Sequence, residues 1–339
     1  MVVDGSWWTG GALVVLAWHN VEGTWQWPAP AGAGAAGFRR QMRALRAATN
    51  VVPLDEALQA LSAGRRLPPR AVAITFDDGY RDNLDVAVPI LRELGLPATV
   101  FLVPDLLDGN LDPWWERLAW AVTTAEDPLL EFEGGIYPLT DERTRRTTLD
   151  RLQEVLKRRT DAERRAAVAQ ITESLTCRGP QHDPRRMFLD WEGARALVRA
   201  GIGIGSHTTG HAILARETPQ AQREDLIGSR RRLQDELDLP IDVLAYPNGQ
   251  VGDYSAETIA AARAAGYSHS VTAWGLVNGP QTEVHEIRRR LLSPTDPATK
   301  VLLGIGYRTV VGGGDDVQRS HAELSSTDGV HPKVDEDRY

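Results

Sequence analysis

Ala71-Val72-Ala73-Ile74-Thr75-Phe76-Asp77-Asp78-Gly79-Tyr80 is the stretch that decides the fold. Its first six residues are apolar or β-branched and predict a buried strand. Two adjacent carboxylates and a glycine follow, and neighbouring side chains of a regular strand point to opposite faces. Asp77 and Asp78 can therefore serve one site only if the strand ends before them, which a turn at Gly79 permits. The simpler alternative is a turn or a helix cap that contains two acids.

Two histidines follow far downstream of this strand. The segment Gly205-Ser206-His207-Thr208-Thr209-Gly210-His211 places His207 and His211 four residues apart, and Ala245-Tyr246-Pro247-Asn248-Gly249 adds a third short element. One aspartate and two neutral imidazoles suit a divalent metal ion, and three protein ligands leave a coordination position free for water or substrate. Taken alone, the two histidines are equally compatible with a solvated helix face or a packed pair in the core.

Taken in order, Thr-Phe-Asp-Asp-Gly-Tyr, His-Thr-x-x-His and Tyr-Pro-x-Gly resemble the motifs of the polysaccharide deacetylase family, also called the NodB-homology or carbohydrate esterase 4 family. The resemblance covers about residues 12–295. It includes Leu16–Val21, which is similar to the family's first strand, and 81–101, which is similar to its following helix and strand. The resemblance implies an α/β fold, an irregular (β/α) barrel of parallel strands with the motifs at the carboxyl ends of the strands.

The resemblance also implies roles for the residues of the first two motifs. Asp78, His207 and His211 match the family's metal ligands, so one divalent metal ion is expected, most simply zinc, with cobalt, nickel or iron as alternatives. Asp77 matches the general base that takes a proton from the attacking water. Thr208 is expected to help hold the loop that carries the metal ligands.

The third motif departs from the pattern of many family members. They have Arg-x-Pro-Tyr where this chain has Ala245-Tyr246-Pro247-Asn248, so the arginine that usually orients the base is absent; one branch of the family has Ala-Tyr-Pro at this place. Tyr246, Pro247 and Asn248 remain the candidates for contacts to the substrate. The resemblance places the backbone N–H that holds the oxyanion at Asn248.

Another arginine is then needed to orient Asp77. The candidates are Arg288 and Arg289, within the run Arg288-Arg289-Arg290, because a late strand of relatives ends with such an arginine. The alternative is a solvated basic cluster.

Two further roles have several candidates each. The general acid that protonates the leaving amine is assigned to His19, after the first strand, or to His285, whose polar neighbours favour a position on the surface. Trp274 is a candidate for stacking on a sugar ring, as are Trp18 and Trp191, with ordinary packing as the alternative for each.

The composition limits the class of protein. The chain has 339 residues, 42% of them apolar, so it can bury the core of a large α/β domain. Its formal net charge of −8 argues against a nucleic-acid or anionic-membrane partner. Cys177 is the single cysteine, which excludes an intramolecular disulfide. The apolar stretch 12–18 is too short for a membrane span and unlike a signal peptide, so we expect a soluble, cytoplasmic protein.

The sequence predicts one deacetylase-like domain over residues 1–311 and a disordered tail over 312–339, where Gly, Asp and Ser dominate. A helical insertion interrupts the domain at about 112–186. A long helix is expected within it at about 141–175, packing one face on the barrel through apolar positions at helical spacing, namely Leu149, Leu152, Val155 and Leu156.

These features predict a metal-dependent hydrolase that removes acetyl groups from an N-acetylated amino sugar, in an oligosaccharide, a polysaccharide or a glycan precursor, and releases acetate. An N-acetylated glycan is then the partner, and the oligomeric state is left open. One alternative is a ureide-type amidohydrolase on the same fold, against which the complete set of metal ligands argues. The other alternative is a non-catalytic carbohydrate-binding protein. The presence of Asp77 argues against it, because a site that does not catalyse a reaction needs no second carboxylate beside Asp78.

Overall fold

The computed structural model describes residue 7, residues 9–180 and residues 182–302. The predicted tail at 312–339 lies outside these residues. The described strands form a nine-stranded sheet and a separate two-stranded hairpin. In chain order they are β1 (Leu13–Trp18), β2 (Asn50–Val51), β3 (Ala71–Phe76), β4 (Thr99–Leu102), β5 (Leu129–Phe132), β6 (Gly135–Pro138), β7 (Gly203–Ser206), β8 (Val243–Ala245), β9 (His269–Val271), β10 (Val277–Asn278) and β11 (Arg289–Leu291).

The helices alternate with the strands of the large sheet, as the βα pattern of the sequence predicts. They are α1 (Ala33–Ala48), α2 (Leu54–Ser62), α3 (Val88–Leu94), α4 (Pro104–Leu107), α5 (Trp114–Thr124), α6 (Glu142–Leu156), α7 (Asp161–Ser174), α8 (Pro184–Met187), α9 (Trp191–Arg199), α10 (Pro219–Leu237) and α11 (Ala256–Ala264), with a π-helical segment at Asn83–Ala87 and a 3₁₀ turn at Leu214–Arg216. Over the part of the chain that the structure describes, no helix is both long and apolar enough to cross a membrane.

The large sheet curls back on itself. Strands β1, β3, β4, β7, β8 and β9 are neighbours in this order and all pair in parallel. The Ile287 N–H donates to Ser270 O at 3.0 Å, and the Thr272 N–H donates to Ile287 O at 2.8 Å, so pairing continues from β9 to the segment before β11. Strand β11 then pairs in parallel with β1, with Arg289 opposite Val15. This irregular barrel confirms the predicted fold class.

Alternate residues of the strands face two different cores, as the two-residue period of a strand requires. Leu13 and Val15 belong to a core whose other members come from strands around the whole sheet and from α2, which makes it the interior of the barrel. Val14 and Leu16 belong to a larger core shared with the surrounding helices. Since the strands are parallel, their carboxyl ends meet at one rim of the barrel, and the loops at that rim hold the predicted motifs.

The segment from α5 to α8, called the insertion below, has a buried core of its own. The sequence predicted a single helix over about 141–175, but the chain forms α6 and α7 with a break at 157–160. Thr160 and Glu163 cap α7 reciprocally, which fixes its start after the break. Both helices contact α5, and Val155 is 38% exposed, so the prediction that Val155 packs on the barrel was wrong.

Candidate active site

Strand β3 ends directly before the two carboxylates. Asp77 still donates its N–H to Trp18 O of β1 at 2.9 Å, whereas Asp78 has a φ of 70° and Gly79 a φ of 75°. A left-handed conformation at Asp78 breaks the alternation of the strand, so both carboxylates reach the same rim. Four of the seven non-glycine residues with positive φ in the described chain lie at this rim, which marks it as a strained, specialised region: Asp78, Thr208, His211 and Asn248.

Asp78, His207 and His211 converge into one cluster. Each offers a ligand atom, and these atoms lie within 4.8 Å of one another. The Asp78 Oδ1 atom is 3.4 Å from Nε2 of His207 and 3.4 Å from Nε2 of His211. All three side chains are buried, and Asp78 Oδ1 has no hydrogen-bond partner. A buried carboxylate oxygen without a partner, facing two imidazole nitrogens, fits a metal ion bound between them.

The electrostatics of the cluster agree with this fit. Burial, followed by the charges of Asp77 and Glu116, raises the pKa of Asp78 well above its ordinary value. Burial lowers the pKa of His207 and, more strongly, that of His211, so both imidazoles are neutral at neutral pH as metal ligands must be. The Nδ1 atom of His207 lies 2.8 Å from Ala245 O and donates to it, which leaves Nε2 free to face Asp78.

Asp77 is held by a buried arginine. Arg289 makes a two-pronged ion pair with it, at 2.7 Å from Nη1 to Oδ1 and 2.8 Å from Nη2 to Oδ2. Burial, the largest single cause, raises the pKa of Asp77, but the charge and hydrogen bonds of Arg289 together with the charges of His207 and His19 outweigh it and lower this pKa to about 2. The Arg289 Nε–H donates to Thr272 O at 2.8 Å, and its Nη1 also donates to Thr75 Oγ1 at 3.2 Å. Asp77 is therefore ionised and fixed in orientation.

Of the two arginines expected near Asp77, the structure brings only Arg289 to it. Arg289 is two residues after Ile287 and shares its inward face, whereas Arg288 points the other way and lies over the ring of Trp274 at 5.6 Å. The Arg288 assignment at the base was therefore wrong, because the register of β11 against β1 directs its side chain away.

Replacing Arg289 by Met is expected to lower the free energy of unfolding of the metal-free protein by about 3–5 kcal/mol, because it leaves the buried Asp77 carboxylate unpaired. Urea denaturation measures the change. Arg288→Met is the matched control, with an expected loss of less than about 1 kcal/mol, since it removes a contact with Trp274 and a long hydrogen bond to Val277 O at 3.5 Å. Equal losses in the two variants would show that the pair does not stabilise the fold.

A different residue from the predicted one holds the metal loop. The Thr208 hydroxyl is buried and has no hydrogen-bond partner, so its predicted contribution to the loop was wrong. Thr209 does this instead: its N–H donates to Asp225 Oδ1 at 2.8 Å, and its hydroxyl donates to Asp225 O at 2.9 Å. These bonds tie the loop between His207 and His211 to helix α10.

The third motif follows β8 at the same rim. Asn248 has a φ of 56°, and its Nδ2 atom is buried without a partner in the cleft that opens onto Asp78. The ring of Tyr246 is stacked on Tyr254 at 4.6 Å, and its hydroxyl donates to His285 O at 3.1 Å. Pro247 lies between them, and its carbonyl accepts from the Gly249 N–H at 2.7 Å. Asn248 thus faces the cleft, whereas Tyr246 supports the loop from behind.

The two candidates for the general acid lie in different surroundings. His19 lines the cleft, and its ring is stacked on Trp27 at 4.7 Å. Burial is the main cause that lowers the pKa of His19 to about 4, against the opposing charge of Asp77. His285 is 2% exposed and its Nδ1 lies 2.9 Å from Ser270 Oγ, so its predicted surface position was wrong.

The cleft beside the metal cluster is small, with a volume of about 60 Å³. One side is formed by the barrel rim and by the loop after β1. The other side is formed by the insertion, which the sequence could not place. The lining residues are His19, Gln26, Trp27, Asp78, Trp114, Trp115, Gln153, Lys157, His211 and Asn248.

The aromatic residues at the cleft are not those expected from the sequence. Trp18 is fully buried and donates to Gln41 Oε1 at 3.1 Å, so its candidacy as a sugar platform was wrong. Trp191 and Trp274 bond Asp108 and Tyr254 and do not line the cleft. Three other tryptophans do: Trp27, Trp114 and Trp115. No local signal distinguishes them, because their position depends on the packing of the insertion.

A parallel barrel that gathers an Asp–His–His cluster and an arginine-paired aspartate at the carboxyl ends of its strands has the layout of a metal-dependent hydrolase. A family model described as "Polysaccharide deacetylase" matches residues 64–270, more than half of the chain. The chain belongs to the polysaccharide deacetylase family, which the sequence motifs predicted.

Curated relatives agree with this assignment. The Bacillus subtilis (strain 168) protein named "Putative polysaccharide deacetylase YxkH" is 24% identical over 217 residues, which are 64% of this chain and 50% of that protein. The Escherichia coli (strain K12) poly-β-1,6-N-acetyl-D-glucosamine N-deacetylase is 32% identical over 106 residues, which are 31% of this chain and 16% of that enzyme. The chain therefore spans half the length, or less, of these relatives.

Solved structures show the same fold. The Streptococcus pyogenes deacetylase PplD, solved in complex with acetate, aligns with 87% of this chain and 98% of its own, with a TM-score of 0.57 and 16% identity. IcaB from Ammonifex degensii aligns with 89% of this chain and 98% of its own, with a TM-score of 0.53 and 19% identity.

Proposed function

We propose that this chain is a metal-dependent N-deacetylase of an N-acetylated amino sugar in an oligosaccharide, a polysaccharide or a glycan precursor. Water adds to the acetamide carbonyl, the carbon–nitrogen bond breaks, and acetate and a free amine are released. The observation that carries the proposal is the convergence of Asp78, His207 and His211 beside an ionised Asp77 at one cleft. This set contains ligands, a base and room for a small substrate group.

The donor set is that of zinc or a related first-row ion, with cobalt, nickel and iron as alternatives. When bound by Asp78, His207 and His211, such an ion supplies a Lewis acid and lowers the pKa of a water molecule. Residues of the chain itself transfer the protons and donate the hydrogen bonds that the reaction needs.

Asp77 is the proposed base that takes the proton from the attacking water. A carboxylate with a pKa of about 2 is fully ionised at neutral pH, so both of its oxygens can accept a proton. Arg289 fixes its two oxygens and keeps the resting carboxylate ionised despite its burial, so that it is free to take the proton of the attacking water. In this proposal Arg289 is a positioning residue, and it takes the place of the arginine missing from the third motif.

Asn248 and His19 line the same cleft and complete the proposal. The backbone N–H of Asn248 is the proposed donor to the oxygen that becomes negatively charged, and the left-handed conformation of Asn248 shapes the loop around it. The departing amine nitrogen needs a proton, and the one that Asp77 took from water balances it. His19, neutral at neutral pH, is the proposed hydrogen-bonding group that passes this proton to the nitrogen. An N-acetylated glycan is the proposed substrate class, supported by the name of the Escherichia coli relative.

The test is acetate release. The purified chain, stripped with a chelator and reloaded with zinc, cobalt, nickel or iron(II), is incubated with β-1,4- and β-1,6-linked N-acetylglucosamine oligomers. We expect acetate and free amine in equal amounts, only in the presence of metal. Allantoin is the parallel substrate: turnover of allantoin without glycan deacetylation would favour the ureide hydrolase, and turnover of neither substrate with any metal would overturn the proposal.

A further inference from the structure

Three polar side chains that line the cleft already have hydrogen-bond partners. Gln26 and Gln153 pair through their amides, at 3.3 Å from Gln26 Nε2 to Gln153 Oε1 and 2.5 Å in the reverse direction. Trp115 donates its indole N–H to the Tyr80 hydroxyl at 2.8 Å. These groups shape the wall of the cleft, but they have little capacity left for a ligand.

Three donors of the cleft have no such partner. Trp114 is 4% exposed, and its indole Nε1 is buried without an acceptor. The side-chain Nδ2 of Asn248 is buried without an acceptor as well. Lys157 forms no ion pair or hydrogen bond through its ammonium group with any residue that the structure describes. A buried donor without an acceptor is costly, so Trp114 Nε1 and Asn248 Nδ2 are suited to meet a ligand, and the half-buried Lys157 adds an unpaired positive charge beside them.

The fully buried acceptors of the same cleft that lack a partner belong to the metal cluster. Among the lining residues, the fully buried atoms in this state other than the donors above are Asp78 Oδ1 and His211 Nδ1. Beyond the cluster, the fully buried groups of the lining that lack a partner are therefore donors. Asn248 is already proposed to contact the acetamide group of the substrate. Trp114 and Lys157, both on the insertion, therefore remain to bind another part of the substrate.

The insertion also gives this wall a positive charge. Lys157 follows the carboxyl end of α6, where a helix favours a cation. The guanidinium of Arg164 lies 5.2 Å from the ring centre of Trp114, on which it stacks. Burial is the main cause that lowers the pKa of His19 and of His211, neighbouring charges follow, and Lys157 is a smaller contributor to both.

We propose that Lys157 and Trp114 bind a carboxylate of the substrate, so that the enzyme prefers N-acetylated glycans that carry a carboxylate near the acetamide. A carboxylate accepts hydrogen bonds from both donors and carries a negative charge, which a neutral hydroxyl lacks. One ammonium matches one negative charge. This inference rests on the proposed function and narrows its substrate class.

The test compares each glycan with its amidated form. One arm uses oligomers of alternating N-acetylglucosamine and N-acetylmuramic acid, whose carboxylate is on the acetamido sugar. The other uses hyaluronan oligomers, whose carboxylate is on the neighbouring uronic acid. In each arm the carboxylates are converted to methylamides for comparison. We expect kcat/KM to be at least about tenfold higher for the carboxylate form in one arm. The arm that shows this difference identifies which sugar carries the recognised carboxylate.

Lys157→Met is expected to bring this ratio to about one, and Lys157→Arg to retain most of it because the charge is kept. Trp114→Phe, which removes the indole N–H and keeps a ring, is expected to reduce the ratio in part. Arg158→Met is the matched control, since Arg158 is the next residue, is exposed and pairs with Glu154 at 3.5 Å; it is expected to leave the ratio unchanged.

A ratio near one in both arms, with neutral oligomers still deacetylated, would overturn this inference and leave the proposed function intact. This inference would also be overturned, and the proposed function left intact, if Lys157→Met kept the preference for the carboxylate form. It would likewise be overturned if Lys157→Met changed only the inhibition of the enzyme by its product acetate. Absence of acetate from every glycan with every metal would instead overturn the proposed function, and this inference with it.

Discussion

Replacing both His207 and His211 by Ala is expected to reduce the metal content of the purified protein from about one ion per chain to none. It is also expected to remove acetate release, because Asp78 alone cannot hold a divalent ion against water. Elemental analysis of wild type and variant, after reconstitution with zinc, measures the first effect. The physical reason is local: these two imidazole Nε2 atoms each lie 3.4 Å from the same Asp78 oxygen.

The control for this experiment is His269→Ala. His269 begins strand β9, so it lies at the opposite end of the barrel from the metal cluster, where it bonds Ser62 and Ser268. It is expected to keep the metal. A double variant that still held about one ion per chain would show that the metal, if the protein uses one, binds elsewhere.

Replacing Asp77 by Asn is expected to lower kcat by about 10²–10⁴-fold while the metal content stays the same. The amide has nearly the same shape as the carboxylate and can still accept one hydrogen bond from Arg289, but it cannot take a proton from water at neutral pH. Acetate release under saturating substrate and elemental analysis of the same sample separate the two effects. Retention of the metal distinguishes loss of a base from loss of a ligand.

Asp82→Asn provides the comparison for this variant. Asp82 lies in the same turn region and accepts from the backbone N–H groups of Val21 and Glu22, at 2.8 and 2.7 Å. Asp82 bonds the loop after β1 and Asn83, whereas Arg289 bonds Asp77, so the change at Asp82 is expected to reduce kcat by less than about tenfold. A kcat for Asp77→Asn within about threefold of wild type would rule out Asp77 as the base.

The barrel and its metal cluster were predictable because their signals are local. An apolar run of six residues predicted β3, and the carboxylates and glycine after it predicted the turn that the φ angles of Asp78 and Gly79 confirm. Parallel strands put their carboxyl ends at one rim, so motifs that follow different strands had to meet. The resemblance to the family supplied the order of the motifs, and the family model agrees.

The choice between Arg288 and Arg289 shows where sequence reasoning stops. Both are consecutive in a basic run, and the alternation of a strand requires that one face inward, but it does not say which. The pairing of Arg289 with Val15 settles the question, because Val15 faces the interior of the barrel. Register is a property of two strands, and no single segment contains it.

The break between α6 and α7 is a different case, since the sequence did contain its signal. Thr160 followed three residues later by Glu163 is a capping box, and it predicts a helix start within what the apolar spacing suggested was one helix. Ending α6 at Leu156 leaves Lys157 just beyond the helix, on the wall of the cleft.

The sequence by itself determined the main parallel strands of the barrel, the turn after β3, the residues of the Asp–His–His cluster and the family, because each depends on a short pattern. Tertiary structure alone decided that Arg289 orients Asp77, that Asp225 holds the metal loop, and that the insertion forms one wall of the cleft. These contacts join residues between 16 and 212 positions apart. They exist only because barrel closure and the packing of α5, α6 and α7 bring such distant segments together.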